Sequence, residues 1–480
     1  MRNRKLLVTC LASAFSAQAS AANIVIDPGV GFDDPTPSVL SQKGNNPGAT
    51  LGAMRLIVFE KAANIWGATL NSNVTITVHA DFIDSLGCTG NSAMLGFAGP
   101  TSAVANFAGG EANVVYPIAL AESLSGTNLN NDAPEINASF NEKIDSDSNC
   151  LGGGGFYYGL DNNAPAGTYP IFATILHEMG HGLGFLSLVG SDGSLFGNMV
   201  GTFSRQLRDV EIDKSWADMN NPERRASQLN EPNLVWAGPK ATADIDQHLR
   251  PSPEMRINAP GSGVFDVVAG EQTADIPNGS LTAPVVNGNS LTAIDSAPAN
   301  GCSQISFDAS LLNGKIVLFD ATNACPPIIQ AVFSQFAGAA GVIIASTSGT
   351  GLPDLRGLIG NEVLIPYVGA QRSAAVQLRA NIVSANVTLS NSTTKFAGVN
   401  EGHIKMYAPA ELEQGSSVSH WSRTASPNLL MEPVLGSLDF ESVDLTAAAF
   451  SDIGWSVNIP GAGLNVSEQA SDVIFESQFD

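Results

Sequence analysis

Residues 170–186 read PIFATILHEMGHGLGFL and carry the most specific pattern in the chain. On a helix, His177 and His181 lie one turn apart on the same face, so both imidazoles can bind one cation. Glu178 is offset by one residue, which directs its carboxylate at a water bound to the ion. Zinc suits this chemistry because it lowers the pKa of a bound water to about 7. The stretch predicts a zinc-dependent hydrolase with Glu178 as general base.

Two observations favour a metal site over the alternative, an apolar helix with two packed histidines. Only 6 of the 480 residues are histidine, so this spacing rarely arises by chance. Gly180 and Gly182 each destabilise a helix by about 1 kcal/mol relative to alanine. A helix selected for packing alone would not need these glycines.

The local sequence does not supply a third protein ligand. Gly184 stands where the extended form HExxHxxGxxH has its glycine, but the last position of that form is Ser187, a poor zinc ligand. The third ligand must therefore come from elsewhere. The remaining histidines are His79, His248, His403 and His420. His420 has the most informative context, with SHW at 419–421 and LMEP at 430–433.

Together these segments resemble the leishmanolysin-like metzincins, in particular a bacterial secreted subgroup. In that family an insertion separates the second zinc histidine from the third, and a methionine turn lies beneath the metal. The resemblance implies that His177, His181 and His420 bind one Zn²⁺ ion. It further implies that Glu178 is the catalytic general base and that Met431 is the Met-turn residue.

The stretch between His181 and His420 is far too long for a loop and must contain a folded module. Short apolar β runs alternate there with helical stretches, which is an α/β pattern. The segments GKIVLF at 314–319, AGAAGVII at 337–344 and IPYV at 365–368 resemble a protease-associated (PA) domain. The alternative is that this stretch belongs to one large catalytic core.

The predicted fold class is therefore α+β. A metzincin-like catalytic domain, with a twisted sheet and the zinc-site helix, is interrupted by an α/β PA-like insert domain. The predicted segments are a signal peptide at 1–21, the N-terminal part of the metalloprotease domain at 22–258, the PA-like insert at 259–395, the C-terminal part with the third histidine and Met-turn at 396–458, and a tail at 459–480. Predicted elements include a helix at 51–66 ended by Gly67, strands at 74–82, 114–116, 136–140, 316–319, 341–345, 363–368 and 382–389, and a helix opened by Pro170.

Charge and hydropathy restrict the partners of the chain. With 22 Lys and Arg against 45 Asp and Glu, the formal net charge is −23, which argues against nucleic acid as a partner. No run after the first two dozen residues is long and apolar enough to span a bilayer. A cationic start, an apolar stretch at 6–17 and small residues at 19–21 predict an export signal. We therefore expect a secreted protein, and the tail suggests association with the cell surface.

Four cysteines remain after removal of the signal, and an even number in an exported chain favours disulfides. Sequence neighbourhood suggests the pairs Cys88–Cys150 and Cys302–Cys325. Asp145 and Asp147 could bind Ca²⁺, although an acidic loop beside Cys150 is the alternative that the pattern favours.

The sequence thus predicts a secreted zinc metalloendopeptidase that hydrolyses protein or peptide substrates through a zinc-bound water activated by Glu178. One alternative is a catalytically degenerate metzincin-like protein that binds proteins through its PA-like domain. A second is a gluzincin whose third ligand is a downstream carboxylate such as Glu211 instead of His420.

Overall fold

The structure of the protein is a computed structural model that describes residues 20–90, 92–161, 163–165, 167–259, 261–270, 273–290, 312–322, 325–348, 351–353, 355, 363–434 and 443–458. The predicted signal peptide lies outside these ranges except for its last two residues, and the predicted tail at 459–480 lies wholly outside them. Within the described ranges, no helix combines the length and apolar character needed to cross a membrane.

The described chain mixes helices and strands, as the predicted α+β class requires. The helices are α1 Leu40–Lys43, α2 Leu51–Thr69, α3 Ile118–Ser125, α4 Lys143–Ser146, α5 Ile171–Leu183, α6 Asn221–Ser227, α7 Pro239–Ala243, α8 Ile245–His248, α9 Pro327–Phe336, α10 Arg372–Arg379 and α11 Thr446–Ile453. The strands are β1 Ile24–Pro28, β2 Ile76–Ile83, β3 Gly96–Pro100, β4 Ala103–Ala105, β5 Val114–Pro117, β6 Ile136–Asn141, β7 Phe156–Tyr157, β8 Tyr169–Pro170, β9 Val200–Gly201, β10 Leu207–Asp209, β11 Lys214–Ser215, β12 Leu234–Trp236, β13 Pro251–Ala259, β14 Gly263–Ala269, β15 Ser280–Asn287, β16 Ile316–Asp320, β17 Gly341–Ala345, β18 Tyr367–Ala370, β19 Asn386–Phe396, β20 Val399–Asn400 and β21 His403–Lys405.

A four-stranded sheet supports the helix that carries the HExxH pattern. Its order is β1-β2-β6-β3, with β1, β2 and β6 parallel and β3 antiparallel at the edge. Buried and half-buried residues alternate along β2, in agreement with the predicted strand at 74–82. Helices α2 and α5 pack together on this sheet, and α5 runs beside the edge strand β3.

Helix α2 continues two residues past Gly67, where the sequence predicted its end. A Cβ atom at Gly67 would lie 2.6 Å from the carbonyl oxygen of Ala22, and the N–H of Ala22 donates to the Gly67 carbonyl at 3.0 Å. Gly67 is therefore needed for the close approach of a neighbouring chain segment, and it does not terminate the helix.

The segments on either side of the insert share one hydrophobic core. That core contains buried residues from 54–249 and from 404–455. Strand β12 pairs with β21 through Val235 opposite Lys405 and Trp236 opposite Ile404. The Trp236 side chain also donates to the carboxylate of Asp452 in α11 at 3.0 Å. The two parts of the chain thus fold as one unit.

The insert forms a closed barrel of strands in the order β13-β14-β18-β17-β16-β15-β19. Helices α9 and α10 belong to it, and its interior consists of two clusters of its own residues. Strands β16 and β17 occupy the predicted positions. The strand predicted at 363–368 was misplaced and runs over Tyr367–Ala370 instead, because Pro366 cannot donate to a strand ladder. The run predicted at 382–389 begins with a short 3-10 turn at Ile382–Ser384, after which β19 starts.

The ends of the insert lie side by side. Pro251 at the start of β13 is paired with Phe396 at the end of β19, and the N–H of Ala397 donates to the carbonyl of Arg250 at 3.0 Å. The barrel therefore leaves and re-enters the rest of the protein at nearly the same point. This arrangement lets a long insertion separate two segments in sequence without separating them in space.

Candidate metal centre

Helix α5 presents the first two predicted ligands. It begins at Ile171, directly after Pro170, and ends at Leu183, followed by Gly184 as its C-cap, whose φ of 126° lies in the region that favours glycine. His177 and His181 are both buried, with 5% and 8% of their surfaces exposed. The local pattern therefore predicted this helix correctly.

Close packing explains the two glycines within α5. A Cβ atom on Gly180 would lie 2.8 Å from the sulfur of Met431, and one on Gly182 would lie 2.4 Å from Cγ2 of Ile136. The expectation that packing would not require these glycines was therefore wrong. Gly180 nevertheless has a role near the histidines, because its missing side chain lets Met431 contact the same helix.

The structure brings His420 to the two histidines of α5. The Nε2 atoms of His177 and His181 are 3.0 Å apart, and each lies 3.1 Å from Nε2 of His420. His420 is 5% exposed. Among the described residues, these three form the only group of at least three His, Cys, Asp or Glu side chains close enough to hold a metal ion.

Backbone carbonyls orient all three imidazole rings. The Nδ1 atoms of His177, His181 and His420 lie 2.6, 2.7 and 2.7 Å from the carbonyl oxygens of Leu430, Phe185 and Ser416. A carbonyl only accepts hydrogen bonds, so each Nδ1 carries the proton and each Nε2 keeps its lone pair. The three lone pairs therefore converge on one point.

The environment keeps these imidazoles neutral. Burial lowers the pKa of His177 to about 3 and that of His181 to about 4. Burial, followed by the neighbouring histidines, lowers the pKa of His420 well below its ordinary value. Neutral imidazole is the form that binds metal.

The three nitrogens fit a zinc ion. Three equivalent nitrogens can each lie about 2.0–2.1 Å from one ion only if they are less than about 3.5 Å apart. The observed separations of 3.0–3.1 Å satisfy this condition. Converging lone pairs repel one another unless a cation lies between them, and three imidazoles are a donor set that zinc accepts.

Glu178 is held beside the edge strand of the sheet. Its Oε2 accepts a hydrogen bond from the N–H of Ala98 in β3 at 2.9 Å. Burial raises the pKa of Glu178 to about 8, and the Ala98 N–H partly opposes this shift. The carboxyl group can therefore exchange a proton near neutral pH, as a general acid–base group requires.

The segment after His420 folds back under α5. The N–H of Trp421 donates to the carbonyl of Met431 at 2.8 Å, and Met431 is fully buried. The N–H of Leu430 donates to the carboxylate of Asp444, which also accepts from the N–H of Thr446 at 2.8 Å. Met431 thus lies against the helix that carries His177 and His181, and its role as the Met-turn residue stays a prediction.

Two contributors to the site were missed by sequence reasoning. The backbone N–H of Ala98 leaves no trace in sequence because every non-proline residue has one. Asp444 anchors the segment that orients His177, and its side chain accepts from the N–H of Thr446 two residues on, which is the Asx turn typical of aspartate just before a helix. An aspartate just before the predicted last helix could have indicated this turn.

The alternative third ligand, Glu211, and two of the remaining histidines lie elsewhere. Glu211 accepts hydrogen bonds from the side chains of Asn230 and Asn233 at 2.9 and 3.1 Å and is not in the histidine group. His79 is paired with Asp27 at 2.7 Å near the surface. His403 lies 3.4 Å from the hydroxyl of Thr242.

One predicted disulfide is confirmed. Cys88 and Cys150 are bonded, with their Cα atoms 5.4 Å apart. Cys302 lies outside the described residues, so its pairing with Cys325 stays a prediction.

The oxygens of Asp145 are already used within the protein. Oδ2 lies 3.1 Å from the guanidinium of Arg55 and accepts from the hydroxyl of Tyr158 at 2.6 Å. Oδ1 accepts from the N–H of Phe156 at 2.9 Å. The guanidinium of Arg55 thus supplies a positive charge at Asp145, and calcium at Asp145 and Asp147 stays the less favoured of the two alternatives from the sequence.

Comparison with known proteins identifies part of the insert. Residues 281–378 match the PA domain family. The barrel contains a PA domain. The matched residues lie within the predicted PA-like insert at 259–395. The PA domain makes up a minor part of the chain. No curated protein matches the chain.

Several solved structures are similar over part of the chain. They include a zinc aminopeptidase from Bacillus subtilis, with a TM-score of 0.24 and 21% identity over 32% of this chain and 37% of that chain. A peptidase M28 precursor from Shewanella amazonensis SB2B has a TM-score of 0.23 and 20% identity over 31% and 37% of the two chains. A psychrophilic subtilisin-like protease from Pseudoalteromonas sp. AS-11 has a TM-score of 0.23 and 20% identity over 31% and 34%. The chain spans only about a third of the length of these proteins. Likeness of this extent does not indicate the activity of this chain.

Proposed function

We propose that the chain is a secreted zinc endopeptidase of the leishmanolysin-like metzincin type. The observation that carries the proposal is the triangle of Nε2 atoms from His177, His181 and His420, with edges of 3.0–3.1 Å. Structural zinc sites use four protein ligands, whereas catalytic sites use three and leave a position for water or substrate. The described residues add no fourth His, Cys, Asp or Glu to the group, which favours a catalytic site.

Different residues of the chain bind the ion and transfer the protons. The three histidines hold the ion, which when bound polarises a peptide carbonyl and lowers the pKa of water. Glu178 takes a proton from the attacking water and donates it to the leaving amine. The hydrogen bond from Ala98 fixes the Glu178 carboxylate beside β3 and keeps it oriented for both transfers.

The edge strand β3 supports peptides as the substrate class. Within the described sheet, β3 pairs only with β6, so apart from the Ala98 N–H, which donates to Glu178, its other edge can receive an extended peptide as a further strand. Ala98, which contacts Glu178, is the central residue of β3, and two residues of the strand lie on each side. A peptide along β3 would be held on both sides of the scissile bond, which is what cleavage within a chain requires.

Metal content and casein cleavage test this proposal together. We expect the wild type to bind about one zinc ion and to cleave casein. Glu178→Gln, which can still accept from Ala98, should keep the zinc and lose roughly 10²–10⁴-fold in kcat. His420→Ala should lose the zinc, whereas Glu211→Gln should keep both zinc and activity.

Two outcomes would contradict the proposal. Loss of zinc from Glu211→Gln but not from His420→Ala would favour the gluzincin alternative. A zinc-loaded wild type without activity on casein or gelatin would favour the degenerate protein that only binds other proteins.

Export of the chain is also part of the proposal. The backbone nitrogen of Ala22 lies 3.0 and 2.8 Å from the carbonyl oxygens of Gly67 and Leu70, at the C-terminal end of α2. Cleavage after Ala21 would place a positive α-amino group there, where the helix dipole favours a cation. Intact mass of the exported protein tests this proposal, and a mature chain that begins elsewhere would contradict the cleavage position.

A further inference from the structure

A cavity of about 530 Å³ lies between the two chain segments that hold His181 and His420. Ser187, from the segment after α5, lines one side, and residues 412–415 and 417–419, which lead into His420, line another. The N–H of Ser187 donates to Oγ of Ser419 at 3.0 Å, so the two sides meet one residue before His420. Ligand pockets have volumes of about 300–1,000 Å³, and this cavity is therefore large enough for a substrate side chain.

The same two segments orient two of the imidazole rings. His181 donates from Nδ1 to the carbonyl of Phe185 at 2.7 Å, two residues before Ser187. His420 donates from Nδ1 to the carbonyl of Ser416, on the other side of the cavity, at 2.7 Å. A substrate side chain in the cavity would therefore lie close to the peptide bond at the proposed metal centre.

A buried glutamine lines this cavity with one atom unpaired. Gln228 directly follows α6 and is 3% exposed. Its Nε2 donates to the carbonyl of Gly190 at 2.9 Å, which fixes the orientation of the amide. Oε1 accepts no hydrogen bond from the described residues. Because an unpaired buried acceptor is unfavourable, Gln228 requires a donor that the described chain does not supply.

Glu413 is the only charged residue among the described residues that line the cavity. Its Oε1 accepts from the hydroxyl of Tyr407 at 2.7 Å, and its N–H donates to Oγ of Ser417 at 2.9 Å. Oε2 lies 3.7 Å from the guanidinium of Arg423, which is longer than a hydrogen bond. The carboxylate is about half exposed, so this oxygen remains available to a ligand in the cavity.

We propose that the cavity binds a lysine or arginine side chain of the peptide substrate, within about two residues of the scissile bond. This inference rests on the proposed peptidase activity and adds the kind of residue that is preferred beside the cleaved bond. The cationic end of the side chain donates to Gln228 and Glu413, and its methylene groups contact Val189 and Leu412. An acidic side chain is disfavoured because it brings a second negative charge to acceptors that need a donor.

Cleavage-site profiling of the zinc-loaded protein tests the cavity. Casein and a mixed peptide library are digested, and mass spectrometry identifies the cleaved bonds. We expect Lys and Arg to be favoured at one position near the cleaved bond, with kcat/KM roughly tenfold above that of the matched norleucine peptide. Glu413→Gln and Gln228→Leu should each reduce this preference at least about threefold and leave kcat/KM for the norleucine peptide unchanged. Glu411→Gln removes an exposed carboxylate outside the cavity lining and should keep the preference.

Peptide binding separates the cavity from catalysis. The zinc-loaded Glu178→Gln variant is titrated calorimetrically with the arginine peptide and with its norleucine counterpart. We expect the arginine peptide to bind roughly tenfold more tightly. Adding Glu413→Gln in this background should remove most of the difference between the two peptides.

Several results would overturn the assignment of the cavity. Casein cleavage without a preference for Lys or Arg would do so and would leave the peptidase proposal intact. Equal binding of the two peptides, or an unchanged preference in Glu413→Gln, would also overturn it. Selective binding of the arginine peptide by a zinc-loaded wild type that cleaves no substrate would instead contradict the peptidase proposal and support the cavity. If Gln228→Leu does not fold, Glu413→Gln and the binding comparison still decide.

Discussion

The PA-containing barrel should be removable without loss of the histidine triangle. Arg250 and Ala397 flank it and are hydrogen-bonded to each other, so their Cα atoms lie about 5 Å apart and a short glycine linker can join them. The barrel's interior consists of its own residues, and of the described barrel residues only Phe396, at the end of β19, packs against the core around α5. We therefore predict that a chain with residues 251–396 replaced by three glycines folds and binds one zinc ion.

The expected change in stability is small. In the full chain, 239 residues separate His181 from His420. Excision leaves roughly 100, and the scaling of loop-closure entropy gives a gain of about 0.8 kcal/mol. Against this stands the loss of partly buried Phe396 from the edge of the core and of the barrel residues that line a cavity with residues 423–426 and 428. We expect the free energy of unfolding of the remaining unit to change by no more than about 1 kcal/mol.

Zinc content per chain and denaturant unfolding measure the outcome. The excised chain should unfold in one cooperative transition and retain its zinc, and His420→Ala in the same background should lose the metal. A soluble, cooperatively unfolding chain without zinc would show that the barrel itself holds His420 in place. An unfolded product would refute the inference that the two cores are separate.

Three further predictions concern packing and charge. Gly182→Ala should lower the free energy of unfolding by about 1–2 kcal/mol, because overpacking against Ile136 outweighs the higher helix propensity of alanine; a more stable variant in urea would contradict this. Asp145→Ala should destabilise the protein by about 3 kcal/mol, since it leaves the fully buried Arg55 unpaired; an unchanged thermal midpoint would contradict this. The pKa of Glu122 is raised in the folded protein, so its protonation stabilises the fold below about pH 4.5, and this contribution is lost as pH rises. The free energy of unfolding of Glu122→Gln, relative to that of the wild type, should therefore increase with pH. A difference between the two proteins that stays constant between about pH 4 and 8 would contradict this.

Local pattern was sufficient for the parts of the site that lie on one helix. His177, Glu178 and His181 owe their arrangement to helical spacing alone, so the sequence predicts their relative positions. The approach of His420 depends on a long-range return of the chain, which spacing cannot provide, and only the resemblance to a family indicated it. The Ala98 N–H lay beyond prediction because it is a backbone group.

The elements of the fold were likewise predictable where local sequence pattern determines them and not where long-range contacts do. Alternating apolar and polar residues predicted β2, and apolar runs predicted β16 and β17. Closure of the barrel depends on β13 pairing with both β14 and β19, and the β19 pairing joins residues far apart in sequence. The end of α2 was misplaced because glycine was interpreted as a stop signal, whereas Gly67 serves close packing with Ala22. Errors thus arose where a tertiary contact determines the role of a residue.

One segment, residues 416–431, determines the orientation of two of the three imidazoles. Its carbonyl at Ser416 orients His420, and its carbonyl at Leu430 orients His177, which lies on a different element. The Asp444 carboxylate in turn holds the N–H of Leu430. Because these acceptors are backbone groups, ring orientation depends on the path of the segment as a whole. Residues 423–426 and 428 of this segment line a cavity together with barrel residues, and the carbonyl of Ser426 accepts from the N–H of Arg250, just before the barrel, at 2.7 Å. The segment that orients His177 and His420 is therefore also the one that lies beside the barrel.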